Sequence, residues 1–359
     1  MDAASRAALK RQCRLFKGHP PRSPAEVLAE AAAWCEAQGV RADVYGTGEL
    51  VTAFEADIAA RVGFPAARLM PSGTMAQQIA LRVWAERAGH AHVGSHATSH
   101  VELHEERGYA HLHGLRLTLV GPAHRPVLAA DLEAVKEPLS ALLVELPIRE
   151  AGGQLPSWEE LEALKAAASA RGIPLHLDGA RLWGCGPHFG RSLPEITAGF
   201  ASAYVSLYKE VGAISGAVLL GDPEFLAEAA VWQRRHGGTL VSQYPAVATA
   251  AMQLDAQLAR MPRWREHALA IAGALRGLDG VRMLPDPPHT SMFHLMVAVA
   301  PEQAAEARDR VAEAHGIWLF DGARPCDVPG WSRFEVAVHE AAMALTPDAV
   351  RAALAELVA

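Results

Sequence analysis

The sequence predicts an α/β protein, with a large domain built on a mainly parallel sheet flanked by helices and a small α+β domain at the C-terminus. Two observations carry this prediction. From about residue 48 to residue 221, helical segments alternate with short apolar runs, as in sheets whose strands are buried on both faces. About the last 100 residues contain several strand-like runs and two helical ones, a size that commonly folds as a unit.

The composition describes a chain that can bury a large core. Half of its 359 residues are hydrophobic, and 33 basic against 40 acidic side chains give a net charge of -7 without long charged runs. A nucleic-acid partner is therefore not expected. Four scattered cysteines predict neither a disulfide framework nor a thiolate zinc site. Without a signal peptide or a run of roughly 18 apolar residues, the protein is expected to be cytoplasmic, with no membrane partner.

Three divisions of the chain are predicted. Residues 1–47 form an N-terminal arm with a helix that begins at Ser23-Pro24, because a serine followed by proline is a typical helix start. Residues 48–255 form the large domain, and residues 256–359 form the small one.

Each predicted element rests on its hydrophobic pattern, with helices showing one apolar face and strands appearing as short apolar runs. In the large domain the main helices are ELVTAFEADIAARV, SGTMAQQIALRVWAERAG and SWEELEALKAAASARG, and the strands are RLTLVG, SALLVELP, PLHLDGA, ASAYVSL and SGAVLLG. In the small domain the strands are VRMLP, SMFHLMVAVA, IWLFD and RFEVAVH, and the helices are EQAAEARDRVAEAHG and TPDAVRAALAEL. Ligands of such sheets bind near the C-terminal ends of the strands, so the residues there are site candidates.

Two of these strand ends carry groups with chemistry. Asp178 ends an apolar run, and Lys209 follows another and precedes a glycine-rich turn. A lysine amine can condense with a cofactor aldehyde, and a carboxylate can keep the nitrogen of the cofactor ring protonated. The alternative is that Asp178 caps the next segment and Lys209 is a solvated loop lysine.

A third segment, Ser72-Gly73-Thr74, lies between a strand-like run and a helix. Free N–H groups and the helix dipole make such a start a phosphate site, to which the hydroxyl groups add donors. Ordinary N-capping by Ser72 or Thr74 uses the same residues and is compatible with that function.

Four histidines recur at intervals of four: His92, His96, His100 and His104. On one helix they would form a stripe able to bind a metal. The first of them lies in AHVG, which looks like the end of a strand, so a shared helix and a metal site are not expected. His104 and Glu105 are expected to serve hydrogen bonding near the cofactor instead.

Seven segments in this order resemble the L-threonine aldolase and β-eliminating lyase family of fold-type I pyridoxal 5'-phosphate (PLP) enzymes. They are DVYGTGELVTAFEADIA, LMPSGTMAQQIAL, SHVELHEE, LLVELPIREAGGQLPSWEELEALK, HLDGARL, SLYKEVGAISGAVL and RFEVAVH, and they cover most of the chain. The resemblance implies a seven-stranded, mainly parallel sheet, PLP as the cofactor, and a homodimer or homotetramer with the active site at the subunit interface.

The resemblance also implies roles for particular residues. Lys209 would carry PLP as a Schiff base, Asp178 would pair with the pyridine nitrogen, and His100 would stack on the ring, which makes these three the catalytic candidates. Arg333 would bind the substrate carboxylate, for which a planar two-pronged donor is suited. The remaining candidates are Ser72, Gly73 and Thr74 at the phosphate, Arg181 near the phenolic oxygen and the substrate, Ser206 at the cofactor, and Tyr45 and Glu105 near the substrate.

The substrate end departs from the family pattern. CRLFKGHPPRS stands where the family has a carboxylate-binding serine, and Glu145-Leu146-Pro147 stands where members commonly read Glu-Asn-Thr, without a second active-site histidine. The implied function is cleavage of β-hydroxy-α-amino acids, such as L-threonine, L-allo-threonine or β-aryl serines, to glycine and an aldehyde. A PLP-dependent β-eliminating lyase, a racemase or transaminase on the same scaffold, and a catalytically silent PLP-binding protein are the alternatives.

Overall fold

The computed structural model describes all 359 residues, with fifteen α-helices, thirteen strands and two 3-10 turns. The helices are α1 (Ala3–Gln12), α2 (Pro24–Ala37), α3 (Glu49–Val62), α4 (Gly73–Ala88), α5 (His100–Leu103), α6 (Gly108–His113), α7 (Ala129–Ala134), α8 (Trp158–Ala170), α9 (Gly186–Phe189), α10 (Leu193–Thr197), α11 (Pro223–Arg235), α12 (Tyr244–Ala251), α13 (Leu254–Leu275), α14 (Pro301–His315) and α15 (Pro347–Val358). The strands are β1 (Arg14–Leu15), β2 (Ala66–Met70), β3 (His92–Ser95), β4 (Arg116–Leu119), β5 (Ala141–Glu145), β6 (Leu175–Gly179), β7 (Ser202–Ser206), β8 (Ala217–Gly221), β9 (Val281–Leu284), β10 (Met292–Val297), β11 (Ile317–Trp318), β12 (Arg324–Pro325) and β13 (Ser332–Ala337). The 3-10 turns are Leu182–Gly184 and Ala342–Ala344.

The chain forms two compact units. The large unit comprises Arg22–Glu150 and Leu155–Ala259, and the small unit comprises Met1–Pro21, Ala151–Gln154 and Arg260–Ala359. The units are not continuous stretches of the chain, because the first 21 residues and the last hundred belong to the same unit. The division at residues 47 and 255 made from the sequence therefore stays a proposal about domains along the chain.

The large unit contains a seven-stranded sheet in the order β2-β8-β7-β6-β5-β3-β4. Strand β8 is antiparallel to both of its neighbours, and the other pairings are parallel. Every residue of β5, β6, β7 and β8 is buried, so both faces of the central sheet are covered. The predicted fold class, with its mainly parallel seven-stranded sheet, is confirmed.

Helix α4 is the principal helix against the middle of this sheet. Ser72 caps its start by accepting a hydrogen bond from the Met75 N–H, and Gly89 ends it in the left-handed conformation. Its inward face packs with β7, β8 and α11 in one apolar cluster, in which the Trp84 ring stacks 5.2 Å from Phe225. This packing holds the beginning of the helix at the edge of the sheet where β7 ends.

The small unit is built on a four-stranded antiparallel sheet in the order β12-β13-β10-β9. Residues of β13 alternate between buried and half-buried, as expected of a sheet with one covered face. The core behind this face includes Phe16, Phe293 and Phe334 together with side chains of α14 and α15. The sequence predicted this α+β arrangement but not the contribution of the chain's beginning.

Helix α1 was missed because it lacks the signal used to find helices. None of its residues is buried, so no apolar stripe marks it in the sequence. It attaches to α14 through polar contacts, among them the hydrogen bond of 2.9 Å from Arg6 Nε to Asp309 Oδ2. By contrast, the helix predicted at Ser23-Pro24 is confirmed, with Ser23 and Glu26 in a capping box.

The four spaced histidines are divided among different elements, as predicted. His92 begins β3, His96 follows that strand, and His100 begins the short α5. Between the large sheet and β9 the chain forms two consecutive helices, α12 and α13. None of the helices combines the length and the apolar character that a membrane-spanning segment requires.

Candidate active site

The ends of the parallel strands bring polar side chains to one edge of the sheet. Glu145, the last residue of β5, lies in register with Asp178 on β6. The edge strand β2 ends at the same level as β7, because Met70 and Ser206 both pair with Ala217 of β8. The segments that follow these strands therefore meet at this edge, where ligands of parallel sheets bind.

Lys209 lies in the turn between β7 and β8. The buried Ser206 hydroxyl accepts hydrogen bonds from the backbone N–H groups of Tyr208 and Lys209, each at 3.4 Å, and thereby fixes the turn. Burial, followed by the charge of Arg181, lowers the pKa of the Lys209 amine. A lower pKa increases the fraction of the neutral amine, which is the nucleophilic form that condenses with an aldehyde.

Asp178 is only 2% exposed. Its Oδ1 accepts a hydrogen bond of 3.0 Å from the Ala180 N–H, which leaves Oδ2 available to a ligand. Burial raises the pKa of this carboxyl group, while the nearby Lys209 ammonium opposes the rise. A cationic ring nitrogen beside Oδ2 would compensate for the buried negative charge.

Glu145 is a member of this site that the sequence prediction passed over. Residues in register on parallel strands project to the same face, so its carboxyl group is on the same side of the sheet as that of Asp178. Oε1 accepts from the Arg149 N–H at 3.0 Å, and the buried Oε2 has no hydrogen-bond partner. Burial and then Asp178 raise the pKa of Glu145 to about 8. The signal was present in the sequence, since Glu145 ends an apolar strand as Asp178 does.

Glu210, next to Lys209, was also missed. It is 4% exposed, and its Oε2 has no hydrogen-bond partner. Burial raises its pKa to about 8, and the charge of Arg181 opposes the rise. Two neutral or partly neutral acids therefore flank the Lys209 turn and Asp178.

The predicted phosphate segment begins α4 at the same edge. A Cβ atom added to Gly73 would lie 2.2 Å from Tyr204 Oη, so only glycine fits where the helix start meets β7. The first N–H groups of a helix lack acceptors within the helix, and those of Gly73 and Thr74 are such groups. With the Ser72 and Thr74 hydroxyls, they form a donor set suited to a phosphate.

His100 is held by a buried carboxylate. Its Nδ1 lies 2.9 Å from Glu105 Oε1, and Gln78 on α4 donates to Glu105 Oε2 at 3.1 Å. His100 lowers and Glu105 raises the pKa of Asp178, which places the pair within electrostatic reach of that carboxyl group. The ring of His100 therefore has a fixed orientation beside the site, as stacking on a cofactor requires.

The other predicted residues are located differently. Arg181 follows β6 and acts electrostatically on Lys209, as the pKa of the lysine shows. Tyr45 lies at φ +51° in a turn, with its side chain 57% exposed and no hydrogen bond to the residues above. Arg333 is on the half-buried face of β13, in the small unit. Their roles toward a substrate stay predictions.

The residues of this edge fit PLP. A half-buried amine with a lowered pKa suits the aldehyde, an unused carboxylate oxygen suits the ring nitrogen, and the start of α4 suits the phosphate. The fold and the site together define a fold-type I PLP-dependent enzyme.

Comparison with known proteins identifies the family. The sequence model described as "Beta-eliminating lyase" matches residues 29–301, and the chain belongs to that family. The predicted family, the cofactor and the class of PLP-dependent lyase are thereby confirmed.

Relatives with assigned activities include two low-specificity L-threonine aldolases. The enzyme of Arabidopsis thaliana is 26% identical over 329 residues, which cover 88% of each chain. The enzyme of Escherichia coli K12 is 30% identical over 269 residues, which cover 73% of this chain and 78% of the relative.

Two solved structures share nearly the whole fold. One, from Listeria monocytogenes EGD-E and provisionally assigned as an L-allo-threonine aldolase, has a TM-score of 0.91 and 34% identity and covers 98% of this chain and 97% of its own. The other, from Exiguobacterium sp. 255-15 and provisionally assigned as an aromatic amino acid β-eliminating lyase/threonine aldolase, has a TM-score of 0.91 and 35% identity and covers 98% of each chain.

Proposed function

We propose that this PLP-dependent lyase cleaves β-hydroxy-α-amino acids, such as L-threonine, L-allo-threonine or β-aryl serines, to glycine and an aldehyde. The observation that carries the proposal is the half-buried Lys209, within electrostatic reach of Asp178, in a chain related to threonine aldolases over most of its length. An amino acid is the substrate class common to the named relatives.

Each residue has a task in this proposal. Lys209 binds the cofactor covalently, Asp178 holds a proton on the ring nitrogen, and the start of α4 holds the phosphate. His100 lies against the ring, oriented by Glu105, and Arg333 binds the substrate carboxylate. When bound, PLP supplies an electron-deficient ring that accepts the electron pair of the bond broken at the substrate's Cα.

β-Elimination is the second candidate function. It is favoured by the family description and by the assignment of the Exiguobacterium structure, which includes both activities. The two reactions differ in the bond broken next to Cα, and small changes in the position of the substrate decide between them.

We also propose that the protein works as a cytoplasmic homodimer or homotetramer. Support comes from an exposed apolar patch in the large unit, where Val44, Tyr45 and Val241 are each more than half exposed and the Tyr45 N–H bonds to the Val241 carbonyl. Contiguous exposed apolar side chains are a common feature of interaction surfaces. Light scattering would give a dimeric or larger mass, and Val241→Lys would reduce it toward the monomer.

Product analysis tests the activity. Holoenzyme would be incubated with L-threonine, L-allo-threonine and β-phenylserine, and glycine and aldehyde would be quantified together. Equal amounts of both products support aldol cleavage. Pyruvate and ammonia released from L-serine, without aldehyde from the other substrates, would support the second candidate. Holoenzyme that releases none of these products would refute both.

A further inference from the structure

A second histidine–carboxylate pair lies one helical turn beyond His100. His104 Nε2 is 2.9 Å from Glu150 Oε1, and the side chain of Glu150 is only 8% exposed. Arg149 Nη1 donates to the same oxygen at 3.2 Å, so a cationic group lies against this buried carboxylate. The sequence prediction joined His104 to Glu105, whereas the structure gives Glu105 to His100 and gives His104 the partner Glu150.

These contacts determine which nitrogen of His104 is available. Arg149 Nη1 also lies 3.5 Å from Nε2, but the contact to Glu150 is much shorter. A carboxylate only accepts, so the neutral ring places its proton on Nε2 and donates it to Glu150. Nδ1 is then the unprotonated nitrogen, and no hydrogen bond from the chain occupies it. A carboxylate that fixes the tautomer and orientation of an imidazole is the arrangement that general bases use.

The position of the pair is suited to the substrate. The centroids of the His100 and His104 rings are 5.2 Å apart, so His104 lies immediately beyond the ring assigned to stack on the cofactor. The His104 side chain is 24% exposed, which leaves it accessible to a small molecule.

We propose that His104, oriented by Glu150, is the catalytic base that accepts the proton of the substrate's β-hydroxyl group. This inference rests on the proposed function. The O–H bond breaks and its proton goes to Nδ1, while its electron pair becomes part of the aldehyde C=O bond. The Cα–Cβ bond breaks and leaves its pair at Cα. Cα takes up a solvent proton, and His104 releases its own to solvent, so no further reactant is needed.

The experiment compares three variants of the holoenzyme: His104→Gln, Glu150→Gln and, as the matched control, His111→Gln on the exposed side of α6. Aldehyde release is measured for kcat and KM with L-threonine. Two further measurements do not need the β-hydroxyl group: exchange of the glycine α-proton in D2O, and the absorption spectrum and Kd of bound PLP.

His104→Gln is expected to lower kcat for aldehyde release on the order of 100-fold or more, the usual contribution of a general base. Glu150→Gln is expected to lower it less, because the imidazole remains. Glycine exchange, the PLP spectrum and the Kd of PLP are expected to stay as in the wild type, and His111→Gln is expected to change nothing. A purely structural role would impair glycine exchange or PLP binding together with cleavage.

Two results would overturn the inference: wild-type kcat in His104→Gln, or a parallel loss of cleavage and glycine exchange. If His104→Gln does not bind PLP, Glu150→Gln decides by the same measurements, since it retains the imidazole. A wild type that exchanges glycine but releases no aldehyde would instead refute the proposed function, so the two failures can be told apart.

Discussion

The two ends of the central strands bury polar groups of different kinds. Near the beginnings of β6 and β7, both nitrogens of His176 are bonded, to Ser202 Oγ at 2.7 Å and to Gln77 Oε1 at 2.6 Å, and Trp84 donates to Ser202 at 2.8 Å. At the carboxyl ends, Glu145 and Glu210 each keep one buried oxygen without a partner. Buried polar groups are normally hydrogen-bonded. At the first end one amide nitrogen, Gln77 Nε2, lacks a partner beside a fully bonded imidazole, whereas at the second end two carboxylate oxygens lack partners near Lys209, which indicates a ligand site there.

The direction of the pKa shifts supports the same distinction. Burial lowers the pKa of His176 to about 3, so this imidazole is neutral over the physiological range and serves only as a hydrogen-bonding spacer. Burial raises the pKa of Glu145 to about 8, within the range in which proteins work. Ionisation at the carboxyl end is therefore sensitive to a ligand, as is typical of functional sites.

The largest expected effect is that of Lys209→Ala. The variant would lose covalent attachment of PLP, and cleavage would fall by a factor on the order of 10³ or more, because no other amine replaces the nucleophile. The absorption spectrum before and after borohydride checks attachment, and aldehyde release checks activity. A reducible band in the variant would show that another lysine carries the cofactor.

Asp178→Asn is expected to have the next largest effect. The amide cannot compensate for a protonated ring nitrogen, so kcat/KM would fall on the order of 100-fold while PLP still binds. Steady-state kinetics and a PLP titration separate the two quantities. If the variant has the kinetics of the wild type, Asp178 does not act in the site. The carboxyl end would then lose its most buried acid as evidence for a ligand site.

His176→Leu tests the other end of the strands. It would leave Ser202 and Gln77 without their shared partner, and the free energy of unfolding would fall by about 1–3 kcal/mol for each group. The pKa of His176 is lowered to about 3 in the folded protein and is near 6.5 in the unfolded chain. The stability that His176 contributes is therefore complete above about pH 6.5 and is lost as pH falls toward 3. Urea unfolding of wild type and variant at several pH values measures this window.

In protein that remains folded, the PLP spectrum of His176→Leu is expected to match that of the wild type, because the residue lies away from the ligand end. A variant with normal stability but altered PLP binding would contradict the division between the two ends.

The smallest expected effect is the pH response of Glu145→Gln in the cofactor-free protein. The folded-state pKa of about 8 is above the usual value of 4.5, so the stability that this group contributes is complete below about pH 4.5 and is lost as pH rises toward 8. The wild type should lose at most about 1.4 kcal/mol per pH unit from this group, opposite in sign to His176. Glu145→Gln should flatten that slope, and an unchanged slope would mean that another acid is responsible.

Much of the fold and part of the site were predictable from the sequence. Apolar runs such as ALLVE and LHLDG are buried from end to end, so hydrophobicity alone located β5 and β6. The order of the family-like segments along the chain then indicated the family and its cofactor. Asp178 and Lys209 were recognisable because a charged residue directly after such a run is unusual. The polar helix α1 was not recognisable, because its contacts to α14 are ionic and leave no periodic apolar pattern.

The pairing of side chains was decided only by the tertiary structure. Glu145 and Asp178 are 33 positions apart, yet the parallel register puts them on one face, where Asp178 raises the pKa of Glu145. Similarly, the nearest acid to His104 along the chain is Glu105, but folding brings Glu150 to it from the loop after β5. The order of residues in the chain determined which polar groups follow which strands. Strand register and burial determined the hydrogen-bond partners and the charge of those groups, because both depend on contacts between distant segments.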